Sequence, residues 1–280
     1  MSKRPIIALD AGHGLKTAGK RCMRSIDPAE TREWWLNDRI ADQAQALLAG
    51  YDCTVIRVDD TTGAKDIPRS ARVKAANSVK ADIYISIHHN AGIKGGTGGG
   101  TVVFYYSSAA ARPLQAQRLY NAVTAQTSLF GNRSQKVIKY GFDVVKHTKM
   151  PAFLIENGFM DSQVDTPIIL TSAHAAHTAQ GIVDFIVGEL QLVPLSGSAQ
   201  RPQTGGSNAA GDNSSRDTFY PAYTGPKTTL SAAMASLGLD ASYAHRKLIA
   251  KANNITGYIG TAAQNTQIYN LLVAGILKKE

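Results

Sequence analysis

Residues Asp82–His88 read DIYISIH, a short and mainly apolar run that ends in a histidine. Two more runs of this kind are PIIALD at Pro5–Asp10 and PAFLIE at Pro151–Glu156. A short apolar run bounded by turn residues is typical of a strand buried on both faces, as in a parallel sheet. Segments with helical spacing lie between these runs. The alternation therefore predicts an α/β fold with a mostly parallel sheet covered by helices on both faces.

The remaining elements follow from the same patterns. Further strands are expected at Cys53–Val58 and Thr101–Tyr106. Helices are expected at Thr31–Leu48, Pro68–Val79, Ala109–Ser128 and Ser172–Leu190.

A polar segment divides the chain into two parts. Residues Ser196–Thr218 contain no Ile, Leu, Val, Met or aromatic residue, and they are rich in Gly, Ser, Asn and Gln. Such a segment cannot bury enough apolar surface to offset its ordering entropy. We therefore expect a main domain at residues 1–192, a flexible linker at 193–218 and a small, mainly α C-terminal module at 219–280.

The net charge of +9 favours a polyanionic partner, either nucleic acid or an anionic cell wall. The charge is spread over both parts and no aromatic-basic platform accompanies it, so nucleic acid is not expected. No apolar run is long enough to span a membrane, so membrane insertion is not expected. The N-terminus lacks the pattern of a signal peptide, which predicts synthesis in the cytoplasm. Cys22 and Cys53 are expected to be free thiols.

Four polar residues occupy positions that suggest chemistry. His13 follows the first strand, His88 and Glu156 end two others, and Glu33 lies near the start of the first helix. Ligand sites of open α/β sheets lie beyond the carboxyl ends of the strands. Two histidines and a carboxylate with an open fourth position form a catalytic zinc site, and a second carboxylate can act as general base. The residues alone leave open that each histidine is only a loop or strand-end residue.

The segments around these residues are similar to those of one enzyme family. The motifs IALDAGHG, REWWLNDRIA, ADIYISIHHNA and PAFLIENGFMDS resemble, in order and spacing, those of the type 3 zinc-dependent N-acetylmuramoyl-L-alanine amidases of bacterial autolysins and phage endolysins. The resemblance implies that His13, Glu33 and His88 bind one zinc ion and that Glu156 is catalytic. Asn37 then occupies the family's partner position, four residues after the ligand glutamate.

The resemblance also implies the reaction. Such an enzyme hydrolyses the amide bond between the lactyl group of N-acetylmuramic acid and L-alanine in peptidoglycan. The alternatives are a non-catalytic cell-wall-binding protein and a zinc peptidase that cuts within the stem peptide. Glu30 competes with Glu33 as ligand, and His89 stands where the family often has alanine.

The biological setting follows from the same resemblance. Without a signal peptide the protein is expected to be an endolysin that reaches the wall through a separate membrane pore, with a secreted autolysin as the alternative. The C-terminal module is similar to the small terminal modules of clostridial-type lysins, which implies wall binding. We expect a monomer or a weak oligomer.

Several residues are secondary candidates. Trp34 is a candidate for stacking on sugar, and Lys139 and Tyr140 are candidates for substrate contact. The glycine run Gly95–Gly100 either lets the polymer approach the backbone or simply connects two strands. His174 and His177 are expected to have packing or surface roles.

Overall fold

A computed structural model describes residues 4–127, 129–195, 219–221, 223, 230–253, 255, 258, 262–273 and 277–279. The chain divides into two compact units, Met1–Arg201 and Pro202–Glu280. Residues 196–218 of the predicted linker at 193–218 lie outside the described residues, so the domain boundaries stay a prediction.

The first unit contains a six-stranded sheet with the strand order β2-β1-β3-β6-β4-β5. The strands are β1 (Ile6–Ala11), β2 (Thr54–Arg57), β3 (Ile83–Asn90), β4 (Thr101–Tyr105), β5 (Val137–Lys139) and β6 (Ala152–Phe159). Strands β2, β1, β3 and β6 are parallel neighbours. This arrangement confirms the predicted α/β fold, and it adds β5, which the sequence patterns did not predict.

Helices cover both faces of this sheet. They are α1 (Glu33–Leu48), α2 (Arg69–Ser78), α3 (Ala111–Thr127), α4 (Asp143–Lys146), α5 (Thr166–Ile169) and α6 (Ser172–Leu190). Successive strand residues point to opposite faces. The core on one face packs against α1, α3 and α6, and its strand residues include Ile7, Leu9, Ile83, Ile85 and Ile87. The core on the other face packs against α2 and α4, and its strand residues include Ala8, Tyr84 and Leu154. Each fully buried Ile or Leu side chain contributes roughly 1.5–3 kcal/mol.

The direction of β4 changes the position of two candidate residues. Strand β4 runs antiparallel to β6 and pairs Tyr105 with Phe153. Strand β5 runs parallel to β4, and the N–H of Tyr140 donates to the carbonyl of Tyr105. Lys139 and Tyr140 therefore lie at the sheet edge opposite the carboxyl ends of β1, β3 and β6. The structure therefore does not bring them to the edge that carries Glu156, and their contact with substrate stays a prediction.

The first unit reaches at least Leu195 among the described residues. The N–H of Asp52 donates to the carbonyl of Val193, and the N–H of Leu195 donates to the carbonyl of Gly50. Cys22 and Cys53 are free and buried, as expected.

The described part of the second unit is helical, as predicted. Its helices are α7 (Leu230–Ser236), α8 (Tyr243–Ala252) and α9 (Ala262–Val273). They enclose a small core that includes Met234, Ile249, Ile268 and Leu272. None of the described helices in either unit combines the length and the apolar content needed to cross a bilayer.

Candidate active site

The four residues of the predicted site lie at one edge of the sheet. His13 follows β1, His88 lies near the end of β3, and Glu156 lies in β6. Glu33 is the first residue of α1. Because β1, β3 and β6 are parallel neighbours, their carboxyl ends bring three of these side chains to the same place.

His13, Glu33 and His88 form a compact cluster. Nε2 of His13 lies 3.3 Å from Oε1 of Glu33. Nδ1 of His88 lies 3.1 Å from the same oxygen. One potential ligand atom from each residue lies within 4.8 Å of the other two. Two imidazoles and a carboxylate at this spacing are a donor set that zinc prefers.

The Glu33 carboxylate is fixed and ionised. Its residue is buried, its N–H donates to the carbonyl of Lys20, and its Oε1 accepts from the N–H of His89 at 3.3 Å. Burial opposes ionisation, but the close contacts and charges of His13 and His88 outweigh it and hold the pKa of Glu33 well below its ordinary value. The Glu33 carboxylate is therefore negatively charged at neutral pH and can bind a cation.

Glu156 is a carboxylate of a different kind. Desolvation raises its pKa to about 7, because the attraction of His88 offsets only part of that effect. Its Oε2 is buried and has no hydrogen-bond partner among the described residues. A carboxyl group that titrates near neutral pH can accept a proton and return it.

A cleft opens at this edge of the sheet. Its volume is about 350 Å³, and its walls include Lys20, His89, Asn90, Glu156 and Met160. Nζ of Lys20 lies 3.5 Å from Oε2 of Glu33. The cleft therefore gives a substrate access to Glu156 beside the cluster.

The imidazole of His89 contacts Asn37, whereas the imidazole of the adjacent His88 contacts Glu33. Nδ1 of His89 lies 2.8 Å from Oδ1 of Asn37, and Nδ2 of Asn37 donates to the carbonyl of Gly12 at 3.1 Å. Burial holds the pKa of His89 well below its ordinary value. Asn37 thus connects α1 to the loop that carries His13.

Other histidines and Glu30 lie outside the cluster. His174 is buried, and its Nε2 lies 3.4 Å from the hydroxyl of Thr178, which fits the expected packing role. Glu30 forms ion pairs with Arg21 at 3.3 Å and Arg24 at 3.5 Å. The competing carboxylate is therefore engaged elsewhere.

Trp34 is not available for stacking on sugar. It is 5% exposed, and a Cβ on Gly63 would lie 2.7 Å from its ring. The exposed tryptophan is Trp35, whose ring is covered by the Arg39 guanidinium at 3.9 Å from the centroid. The expectation for Trp34 is wrong because the helix turns that side chain toward the protein.

The last two residues of the glycine run, Gly99 and Gly100, support its interpretation as a simple connection between two strands. The φ angles of Gly99 and Gly100 are 153° and 103°. A Cβ on Gly100 would lie 2.4 Å from Cα of Gly131, and the N–H of Gly100 donates to Asp165 at 2.7 Å. These two glycines are therefore required by packing of the connection itself.

Sequence reasoning missed Lys20 and Arg72. Lys20 lies in the long connection between His13 and Glu33, where nothing in the local pattern marks it. Arg72 does leave a signal, because it is four residues from Ala76 on the apolar side of α2. An arginine at such a position needs a buried anionic partner.

A parallel sheet edge that presents a His–Glu–His cluster, a carboxyl group of raised pKa and an open cleft is typical of a hydrolase. The family model described as N-acetylmuramoyl-L-alanine amidase matches residues 7–187. The chain therefore belongs to the N-acetylmuramoyl-L-alanine amidase family. It is an enzyme of that type, a peptidoglycan amidase.

Individual relatives agree with this assignment. The chain is 30% identical to the sporulation-specific N-acetylmuramoyl-L-alanine amidase of Bacillus subtilis, over 69% of this chain and 71% of the relative. It is 27% identical to the endolysin of Bacillus phage SPP1, over 70% of this chain and 69% of that relative. The crystal structure of an N-acetylmuramoyl-L-alanine amidase from Clostridium difficile 630 superposes with a TM-score of 0.60 at 26% identity, covering 68% of this chain and 98% of that one.

Proposed function

We propose that His13, Glu33 and His88 hold one zinc ion and that Glu156 is the general base for hydrolysis of the bond between the lactyl group of N-acetylmuramic acid and L-alanine. The observation that carries this proposal is the placement of Glu156, with an unpartnered oxygen, beside three residues whose donor atoms lie within 4.8 Å.

The residues fit a zinc ion on independent grounds. Nε2 of His13 and Oε2 of Glu33 are buried and form no hydrogen bond of good geometry to a described residue. Their charged neighbours lie farther away, with Oε1 of Glu33 at 3.3 Å from Nε2 of His13 and Nζ of Lys20 at 3.5 Å from Oε2 of Glu33. Buried polar atoms without partners are costly, so they indicate a missing ligand. Zinc prefers imidazole nitrogen and carboxylate oxygen, which are the donors present.

When bound, zinc supplies Lewis acidity that lowers the pKa of water and polarises a carbonyl group. Glu156 accepts a proton from the attacking water, whose oxygen forms the new bond to the lactyl carbonyl carbon. The same carboxyl group then donates the proton to the nitrogen of L-alanine as the amide bond breaks. The raised pKa of Glu156 suits both steps near neutral pH.

Digestion of purified peptidoglycan tests the reaction. We expect new N-terminal L-alanine without new reducing sugars. New amino termini from residues within the stem peptide would instead support the zinc peptidase.

Removal of single carboxylates tests the metal site. We expect Glu33→Ala to lose zinc, whereas Glu30→Ala, a change in a nearby carboxylate paired to Arg21 and Arg24, keeps it. Zinc content is measured after dialysis. The opposite result would transfer the ligand role to Glu30.

We propose further that the protein is an endolysin. The relative from Bacillus phage SPP1 is named an endolysin, which supports this role. The relative from B. subtilis is instead named a sporulation-specific amidase. Cells that produce the protein in the cytoplasm should lyse only after their membrane is permeabilised. Wall degradation without permeabilisation would favour a secreted autolysin.

A further inference from the structure

Arg72 is a buried guanidinium that binds the loop carrying His13. It is 2% exposed. Its Nη1 donates to the carbonyl of Ala11 at 2.7 Å, and its Nη2 donates to the carbonyl of His13 at 3.0 Å. Its Nε donates to the carbonyl of Ile67 at 2.7 Å. One side chain from α2 thus holds two backbone carbonyls on either side of Gly12.

The guanidinium is itself anchored. It forms an ion pair with Asp10, which is 1% exposed. The other oxygen of Asp10 accepts from the hydroxyls of Tyr84 and Ser86, each at 2.7 Å. A buried charge pair with these additional hydrogen bonds has little freedom to move. The position of Arg72 is therefore fixed to both β1 and β3.

The loop needs such support because its conformation is strained. His13 has a φ of 69°, a left-handed conformation that is unfavourable for a residue with a side chain. This conformation directs the imidazole toward Glu33, where Nε2 lies 3.3 Å from Oε1. If the carbonyls of Ala11 and His13 were released, the backbone could relax and the imidazole would leave that position.

We propose that Arg72 is a positioning residue for the metal site, because it holds His13 in the conformation that brings its imidazole to Glu33. The inference rests on the proposed zinc site. It adds a residue from α2, which contributes no donor to the cluster. Residues that orient metal ligands in this way typically affect metal affinity by about 10–100-fold.

The experiment compares the zinc affinity of the full chain with that of its variants, by competition with a chromophoric chelator. Arg72→Lys keeps the positive charge but cannot span both carbonyls and Asp10. We expect its zinc dissociation constant to rise at least about tenfold. Leu119→Ala is the control, since it opens a cavity in the core on α3, which packs on α6 and β4. It should lower the melting temperature while its zinc affinity stays within about twofold of wild type, because the loop is untouched.

A second readout separates positioning from general loss of stability. Cobalt at saturating concentration reports the ligand geometry through its visible absorption. The band should shift in Arg72→Lys and stay unchanged in Leu119→Ala. If Arg72→Lys does not fold, Tyr84→Phe replaces it, since this variant removes only one hydrogen bond to Asp10. A smaller rise in the zinc dissociation constant is then expected.

Wild-type zinc affinity and an unchanged cobalt band in folded Arg72→Lys would overturn the inference, as would wild-type affinity in Tyr84→Phe where that variant is needed. An equal loss of affinity in Leu119→Ala would also overturn it. A wild-type protein that binds no zinc would instead contradict the proposed metal site, so the two failures are distinguishable.

Discussion

His88 and Glu156 are direct partners in the register of the parallel strands β3 and β6. The pairing places one residue of the histidine–carboxylate cluster beside the carboxyl group whose pKa is raised to about 7. The register shifts immediately afterwards, between His88 and Asn90. The relative position of proposed ligand and base is therefore set by backbone hydrogen bonds of the central sheet.

The first prediction concerns Glu156→Gln. This variant keeps the shape of the side chain but cannot accept a proton. We expect zinc content and melting temperature near those of wild type, and a fall in turnover of roughly 10²–10⁴-fold, the usual contribution of a general base. Zinc analysis and amidase rates on the same preparations check this. Near-normal turnover with normal zinc would exclude Glu156 from the mechanism.

The second prediction compares the adjacent histidines. His88→Ala and His13→Ala should lose zinc, because each removes a donor from the cluster. His89→Ala should retain it, since the imidazole of His89 is bound to Asn37 instead. The zinc content of the three variants after identical dialysis is the measurement. Loss of zinc only in His89→Ala would show that the neighbouring histidine is the ligand.

The third prediction concerns Gly12→Ala. A Cβ at Gly12 would lie 2.1 Å from Cε1 of His88, so the imidazole must move away from Glu33. We expect a fall in zinc affinity of at least about tenfold. Gly188→Ala in α6 is the matched control, because a Cβ there meets nothing within 4 Å. The control should bind zinc normally, and equal affinities in both variants would contradict the expectation.

The sequence predicts the core of this site well and its surroundings less well. The apolar runs ending at Asp10, His88 and Glu156 identify parallel strands, and parallel strands necessarily share an edge. Strand β5 has three residues and no distinct pattern of its own. Strand direction also has no local signal, so the sequence does not show that Lys139 and Tyr140 lie at the edge opposite Glu156.

Side-chain direction within the helices was equally difficult to predict. Trp34 and Trp35 are adjacent on α1, and small differences in helix register decide which one is buried. The partners of Arg72 at Asp10 and His13 lie 62 and 59 residues away in sequence. No local pattern connects residues at that distance, so the support of the His13 loop became visible only in the folded chain.

The fourth prediction concerns acid stability. Burial of His174, with the nearby charges of Arg39 and His177, lowers its pKa from 6.5 to about 4. The unfolded chain therefore binds a proton between these values when the folded chain does not, and stability falls as the pH drops through this window. Between pH 7 and pH 5 this residue lowers the free energy of unfolding by about 2 kcal/mol.

The variant His174→Gln should show correspondingly less loss of stability over this range. Urea unfolding of both proteins at pH 7 and pH 5 measures it, with chelator present so that metal release does not contribute. His89 also has a lowered pKa, so the variant retains part of the dependence of the unfolding free energy on pH. Identical pH dependence in the two proteins would exclude His174 as a source of acid sensitivity.

The fifth prediction concerns truncation. A chain that ends at Leu195 keeps the hydrogen bonds from Asp52 to Val193 and from Leu195 to Gly50. It also keeps Leu192, which is 7% exposed in the main core. We expect it to fold, bind zinc and cleave soluble muropeptides at the rate of the full chain. Its binding to whole cell walls should weaken, because the predicted wall-binding module at 219–280 is gone.

A chain that ends at Gln191 is the matched comparison. It loses the burial of Leu192 and both hydrogen bonds, which together should reduce the free energy of unfolding by at least about 2 kcal/mol. Thermal unfolding, zinc content and sedimentation with purified walls are measured on both truncated chains and the full protein. If the chain ending at Leu195 fails to fold, the first unit requires residues beyond 195 for its stability. If it sediments with walls as strongly as the full protein, the catalytic unit itself carries the affinity for the wall.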